Sequence, residues 1–146
     1  MNAGDFLPDA RKKLEDQRDL TLLTLLVKGE AENQSIEGMI AVGFVAMNRY
    51  RKGGWFGNTI PKVILKKKQF SCFNEDNVNK RRIMAAKADK WWTFCFNAAY
   101  LAYCNAVKDP TNGADHYHAR SVKPRWASKM TKTVEIGNHI FYRSKP

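Results

Sequence analysis

Glu30 is the acidic residue whose surroundings in the chain most suggest a chemical role. It follows Gly29 at the end of an apolar run over residues 22–27, and a second apolar run begins at Ile36. A glutamate half buried between two core-forming helices can hold its proton against apolar walls and give it to a leaving group, as in the cleavage of a glycosidic bond. An ordinary helix-end acid would fit the same position, so the other polar residues must decide between these interpretations.

Neutral polar side chains recur in three later motifs. Gln69 and Ser71 belong to a Gln-Phe-Ser segment, Tyr117 to a Gly-Ala-Asp-His-Tyr segment, and Tyr142 to a Phe-Tyr pair near the C-terminus. Such groups can orient a sugar and stabilise the positive charge that develops on it as the bond breaks. The same residues would also suit ordinary roles as loop caps and as core aromatics with satisfied hydroxyls.

Four tryptophans could stack on sugar rings. Trp126, between Pro124 and Lys129, is the indole that we expect to bind sugar. Core packing is the expectation for most of the others, which are Trp55, Trp91 and Trp92.

Three histidines suggest a different class of enzyme. His116 and His118 alternate along one predicted strand, and His139 could add a third zinc ligand. A zinc-dependent amidase that cleaves peptide stems is therefore an alternative, although the chain has no His-Glu-x-x-His motif. An enzyme that relies on Glu30 needs neither metal nor cofactor, so its activity should survive EDTA. The activity of a zinc amidase should not.

The composition describes a basic globular domain. Hydrophobic residues make up 44% of 146 residues, and 25 lysines and arginines against 14 acids give a net charge of +11. This charge predicts an anionic partner, either nucleic acid or a bacterial envelope. Basic clusters lie at Lys66–Lys68 and Lys80–Arg82, but no phosphate loop, zinc-finger spacing or aromatic RNA-binding motif accompanies them. The envelope is therefore the expected partner, without nucleic acid.

The hydrophobic periodicity predicts a mostly helical α+β fold in one domain, residues 1–146. A polar N-terminal helix, centred on residues 8–18, is expected within residues 1–19, before a catalytic core over residues 20–146. Further helices are expected at 20–28, at 36–51, after the Asn58-Thr59-Ile60-Pro61 start signal, and at 82–107. Alternating segments at 114–119 and 131–143, with Gly137-Asn138 as a turn, predict a small C-terminal β-hairpin.

The N-terminus and the cysteines bear on where the protein is made. The first residues are polar and include acids, which is not typical of a signal peptide, so synthesis in a host cytoplasm is expected. The thiols of Cys72, Cys95 and Cys104 are expected to be free and mostly buried, with Cys95 and Cys104 on opposite helix faces.

Four motifs in order resemble those of one enzyme family, the cell-wall hydrolases of the spore-cortex-lytic (SleB-like) type. The first comprises Gly29-Glu30-Ala31 and then Glu37-Gly38 before an apolar helix that ends in Asn48-Arg49. The second is Gln69-Phe70-Ser71, the third is Gly113-Ala114-Asp115-His116-Tyr117, and the fourth is Gly137-Asn138-His139-Ile140-Phe141-Tyr142. The resemblance covers residues 22–143. It implies a lysozyme-like fold, with Glu30 as the catalytic acid acting on peptidoglycan glycan strands between N-acetylmuramic acid and N-acetylglucosamine.

The resemblance further implies a lytic transglycosylase that forms 1,6-anhydromuramic ends, with a hydrolytic muramidase as the alternative. Glu32, Asn33 and Gln34 stand where the family usually has Arg, Gly and Glu, so the rim of the cleft is expected to differ. The short chain looks like a monomeric phage endolysin that reaches the wall through a membrane lesion.

Overall fold

The helices form the body of the molecule, and a small sheet closes one side of it. A computed structural model describes residues 2–74, 81–82 and 84–146. Its helices and strands are α1 (Asp19–Ala31), α2 (Ile36–Lys52), α3 (Ile60–Ile64), α4 (Lys90–Tyr103), β1 (His116–Ala119), β2 (Thr131–Ile136) and β3 (His139–Arg143). The α+β, mostly helical class predicted from the sequence is confirmed.

Helix α1 is the buried centre of the helical body. Residues 20–27 are all buried, so this helix is enclosed on every side rather than amphipathic. It packs against both α2 and α4, which also pack on each other. The α2–α4 contact is close at Gly43, where an added Cβ would lie 3.0 Å from the Cβ of Ala102. A larger residue at position 43 would push the two helices apart.

The sheet is antiparallel in the order β1-β3-β2, with the last strand in the middle. Tyr117 pairs with Phe141 and His116 with Tyr142, so each pair shares one face of the sheet. The Tyr117 and Phe141 face is packed inward, and Phe141 joins a small core with Ala41 of α2. The two predicted extended segments and the turn between β2 and β3 are confirmed.

Gln34 fastens that turn to the loop between α1 and α2. Its Oε1 accepts the backbone N–H of Asn138 at 3.1 Å. Gly137 has a φ of +56°, and an added Cβ there would lie 2.7 Å from the same oxygen. At one of the positions where the chain departs from the motif that it otherwise resembles, the side chain thus holds the β2–β3 turn.

The expectation of a polar N-terminal helix was wrong. The structure instead has short 3-10 turns at Ala3–Phe6 and Leu14–Asp16. The buried Gln17 side chain accepts the N–H of Asp9 at 2.9 Å and donates to its carbonyl at 2.7 Å. These bonds satisfy backbone groups that a helix would have paired, so the segment folds back onto the core.

The bounds expected for the long helix, residues 82–107, were also wrong. Helix α4 begins only at Lys90, because the Asp89 side chain caps it by accepting the N–H of Trp92 at 2.9 Å. The four residues predicted for its buried stripe are buried, together with two others; the six are Trp92, Cys95, Phe96, Ala98, Ala99 and Ala102. Lys80, part of one predicted basic cluster, lies outside the described residues.

Asp115 ties the sheet to the end of α2. Its buried carboxylate accepts from Lys52 Nζ at 2.5 Å, from the Ser144 N–H at 2.9 Å and from the Ser144 hydroxyl at 2.5 Å, and lies 2.9 Å from His116 Nδ1. Burial alone would raise the pKa of Asp115, but the hydrogen bonds from His116, Lys52 and Ser144 lower it well below its ordinary value of 3.8. The folded state therefore favours the ionised carboxylate.

This network predicts an acid-sensitive contribution to stability. A carboxylate whose pKa is lower in the folded than in the unfolded chain stabilises above its unfolded pKa and loses that effect as pH falls. We expect Asp115→Asn to cost about 2 kcal/mol of unfolding free energy at neutral pH. The difference from wild type should shrink below about pH 4. Denaturant titrations from neutral to acidic pH measure this difference in unfolding free energy, with the exposed Glu37→Gln as control. A difference between Asp115→Asn and wild type that stayed constant with pH would contradict the role of the ionised carboxylate.

The cysteines are free in the structure, and two of the three are buried. Burial raises the pKa of Cys95 to about 12 and that of Cys72 further, whereas Cys104 is exposed at the end of α4. We expect one fast-reacting thiol in the native protein and three in the denatured, unreduced protein. A denatured count of one would mean that a disulfide had formed.

No helix in the described ranges is both long and apolar enough to cross a bilayer.

Candidate active site

Glu30 lies in the last turn of α1, where two later segments meet its carboxyl group. Its Oε1 accepts the Tyr117 hydroxyl at 2.5 Å, and its Oε2 accepts the Ser71 hydroxyl at 3.4 Å and the Cys72 backbone N–H at 3.3 Å. Because both oxygens are bonded, the plane of the carboxyl group is fixed. The structure thus brings Glu30 together with two of the five predicted substrate-binding residues, Ser71 and Tyr117.

Tyr117 reaches Glu30 from β1 and keeps its proton. Burial, and then the nearby charge of Glu30, raise its pKa well above the ordinary value of 10.0. The hydroxyl therefore stays neutral and donates to the Glu30 carboxyl group. Its ring packs against those of His139 and Phe141, with centroids 4.9 and 5.6 Å away.

Arg49 joins the two segments that contact Glu30. It is only 4% exposed, and its Nε donates to the Asp115 carbonyl at 2.7 Å, two residues before Tyr117. Its Nη1 donates to Gln69 Oε1 at 3.4 Å, and its guanidinium carbon lies 4.7 Å from the centre of the Phe70 ring. Burial lowers the pKa of Arg49, while the nearby acidic groups of Asp115 and Glu30 favour its charge.

In the sequence, Arg49 stands out only as part of the Asn48-Arg49 pair that ends an apolar helix. The structure gives it a wider role, because it fixes the Gln69–Ser71 loop and β1 at once. Gln69 itself bonds Arg49 rather than Glu30, so its expected contact with sugar stays a prediction.

Tyr142 and Trp126 lie on the other side of the sheet from Tyr117. The Tyr142 hydroxyl is 2.9 Å from Nε2 of His118, and the Trp126 ring packs against His116, His118 and Tyr142 with centroids 5.2 to 5.7 Å apart. The structure therefore does not place these two aromatics beside Glu30. Their sugar-binding role stays a prediction.

The three histidines proposed as zinc ligands do not converge. His116 and His118 share the Trp126 face, whereas His139 lies on the inward face against Tyr117. Burial lowers the pKa of His139, and its Nδ1 is buried without a hydrogen-bond partner in the described part of the chain. Within that same part, no three His, Cys, Asp or Glu side chains gather in a metal-binding arrangement.

An open groove of about 560 Å³ runs past Glu30. It is lined by Lys28, Gly29, Glu30, Glu32, Asn33, Arg82 and Trp91. Trp91 is 43% exposed, whereas its neighbour Trp92 is fully buried, so the core-packing expectation holds for only one of this pair. Trp91 thus lines the same groove as Glu30, and Trp126 is not among the described residues that line it.

Sequence reasoning missed several members of this site. The Cys72 N–H carries no side-chain signal, and only its place after the Gln-Phe-Ser motif could have indicated it. Trp91 could have been found from its position, because an indole directly beside another on a helix cannot share the same buried face.

The family comparison agrees with this geometry. Residues 33–142 match the model of the Cell Wall Hydrolase family, and the chain belongs to that family. The matched region begins three residues after Glu30, so the assignment of the acid depends on the motif and on the contacts described above.

The sequence identity between this chain and individual relatives is low. The chain is 26% identical over 128 residues to a spore cortex-lytic enzyme of Oceanobacillus iheyensis, covering 86% of this chain but only 41% of the length of that protein. Two solved structures share the fold at a TM-score of 0.70 and 23% identity over 93% of this chain. They are the catalytic domain of the germination-specific lytic transglycosylase SleB from Bacillus anthracis, covered to 99%, and the SleB catalytic domain from Bacillus cereus, covered to 95%.

Proposed function

We propose that this protein cleaves the glycan strands of peptidoglycan as a lytic transglycosylase, with Glu30 as its single catalytic acid and base. The observation that carries the proposal is the Glu30 carboxyl group, held by neutral donors from Tyr117, Ser71 and Cys72 beside an open groove. Membership of the cell-wall hydrolase family and the fold shared with a lytic transglycosylase support it.

The reaction needs one protonated carboxyl group in the first step. Glu30 gives its proton to the glycosidic oxygen between N-acetylmuramic acid and N-acetylglucosamine, and the bond from that oxygen to C1 of the muramic residue breaks. The C6 hydroxyl of the same residue then attacks C1 and returns its proton to Glu30. The products are a free 4-hydroxyl and a 1,6-anhydro ring, and water is not consumed.

An internal nucleophile removes the need for a second carboxylate. A hydrolytic muramidase would need another acid about 5–9.5 Å away to serve as nucleophile or to activate water. Among the residues that the structure describes, Glu32 is the other carboxylate that lines the groove, and its Oε2 is 2.5 Å from Lys28 Nζ. Because its carboxylate is already paired with Lys28, Glu32 is a poor candidate for a second catalytic acid. This pairing favours the one-acid route.

The proposal is tested on purified peptidoglycan in the presence of EDTA. We expect release of soluble glycan fragments with their stem peptides still attached, at the same rate as without EDTA. Release of free stem peptides, or loss of activity with the chelator, would support the zinc amidase instead.

The net charge of +11 should promote contact with the anionic envelope. Lys67 and Lys68 are exposed, whereas the Lys66 ammonium lies 4.3 Å from the centre of the Trp55 ring. Attraction between exposed charges is screened over about 8–10 Å at physiological salt. Added salt should therefore slow lysis of whole envelopes much more than cleavage of a short, soluble glycan fragment.

Replacing Lys66, Lys67 and Lys68 by Gln should reproduce part of this salt effect on envelopes and leave the soluble fragment unaffected. Both substrates are compared at the same series of salt concentrations. Equal salt sensitivity would mean that the charge acts inside the groove. The role as a phage endolysin stays a prediction.

A further inference from the structure

The groove beside Glu30 has an exposed indole and an exposed cation on its wall. Trp91 is the second residue of α4, and Phe94 braces its ring edge-on with centroids 5.9 Å apart. Arg82 lines the same groove from the segment that precedes α4. Neither residue is used in the single-acid reaction, so each is available for binding.

The position of Trp91 favours a ligand-binding role over an incidental surface aromatic. Single exposed apolar residues are common on proteins and need no explanation by themselves. Trp91 differs because it shares a groove with the catalytic acid and its ring is held in place by a neighbouring aromatic. The ammonium of the exposed Lys90 lies 5.0 Å from the centre of the Trp91 ring. When this flexible side chain moves aside, the half-exposed indole offers a flat surface on which a pyranose ring can stack.

The charges in the groove leave Arg82 available for an anionic group. The Lys28 ammonium is matched by Glu32, and Tyr117, a neutral donor, holds Glu30. Among the residues that the structure describes, no carboxylate forms an ion pair with Arg82. A guanidinium recognises a carboxylate through paired hydrogen bonds.

We propose that Trp91 and Arg82 form a subsite for a muramic acid residue that carries an acidic peptide stem. The indole stacks on the sugar ring, and the guanidinium pairs with a carboxylate of the attached peptide stem. This subsite depends on the proposed function, because it binds the same glycan strand that Glu30 cleaves. It adds a preference for strands whose stems retain their negative charge.

The test uses soluble, uncross-linked strands that carry stem peptides, either untreated or with their carboxylates converted to amides. The two substrates have the same sugars and nearly the same size, so they differ in charge. We expect Arg82→Gln to lower kcat/KM about threefold on untreated strands and to leave amidated strands unchanged. Trp91→Ala should lower kcat/KM about tenfold on both substrates, and Trp91→Phe should recover part of the loss.

Matched variants control for general effects. Arg81→Gln removes the neighbouring exposed cation, and Tyr103→Ala removes an aromatic, 39% exposed, from the far end of the same helix. Both should keep wild-type activity, and thermal unfolding should show that all variants are folded. Equal losses for Arg82→Gln on both strands, or a loss for Trp91→Ala no larger than for Tyr103→Ala, would overturn the subsite. Wild-type protein that cut neither strand would overturn the proposed function itself, and the subsite with it.

Discussion

Glu30→Gln is expected to abolish lysis of cell walls and to leave the protein folded. The amide keeps the shape of the side chain, and its carbonyl oxygen can still accept the Tyr117 hydroxyl, but it has no proton to give to the glycosidic oxygen. We expect the rate of glycan cleavage to fall by about a thousandfold or more. The free energy of unfolding should stay within about 1–2 kcal/mol of wild type, as for most substitutions of half-buried residues. Cleavage rates on purified peptidoglycan and denaturant titrations measure the two effects.

Glu32→Gln is the matched control, because it changes an acid two residues away on the same groove. This variant loses the ion pair with Lys28, and we expect its cleavage rate to stay within a few fold of wild type. Loss of activity in both variants would indicate two-acid hydrolysis. Near-normal cleavage by folded Glu30→Gln would end the one-acid hypothesis.

Arg49→Met should produce the second large effect, on stability and activity together. The change removes a buried guanidinium and leaves the Asp115 carbonyl and the Gln69 amide oxygen without their donor. We expect a cost of about 2–4 kcal/mol in unfolding free energy. Since Arg49 holds both segments that contact Glu30, activity should fall even at temperatures where the variant is fully folded.

Two further variants separate position from charge. Arg51→Met removes an exposed arginine from the same helix and should be nearly neutral. Arg49→Lys keeps the charge but loses the planar fork that reaches both Asp115 and Gln69, so it should recover only part of the stability and rate. A folded Arg49→Met protein with wild-type kinetics would show that this residue does not position the site.

The parts of this fold that follow from local sequence were predictable. The apolar run at residues 20–27 indicates a buried helix, however the other elements are arranged. Thr59 and Pro61 mark the start of α3, where the Thr59 hydroxyl accepts the N–H of Lys62 at 3.2 Å. The alternating pattern of side chains on both sides of Gly137 indicates the hairpin. In each case the deciding signals lie within a few residues of the element that they define.

Features that depend on distant contacts were not predictable in the same way. Gln17 satisfies backbone groups eight residues away, which removes the helix that composition alone favoured. Arg49 is basic and near a helix end, where solvent exposure is the ordinary expectation. Its burial depends on the Asp115 carbonyl, 66 residues later in the chain.

The site shows the same division. Glu30, Ser71 and Tyr117, which the structure brings together, were selected because their motifs occur in a specific order along the chain. The place of Trp91 on the groove was not predictable, because the groove or sheet face that an indole shares with the acid depends on contacts distant in the chain.

The central claim is that the C6 hydroxyl of the substrate, rather than water, completes the reaction started by Glu30. Digestion of purified peptidoglycan in heavy-oxygen water, followed by mass spectrometry of the released muropeptides, tests it most directly. We expect fragments lighter than the hydrolytic products by one water, with no heavy oxygen incorporated. Reducing-end fragments of full hydrolytic mass that carry heavy oxygen would contradict it and identify the protein as a muramidase.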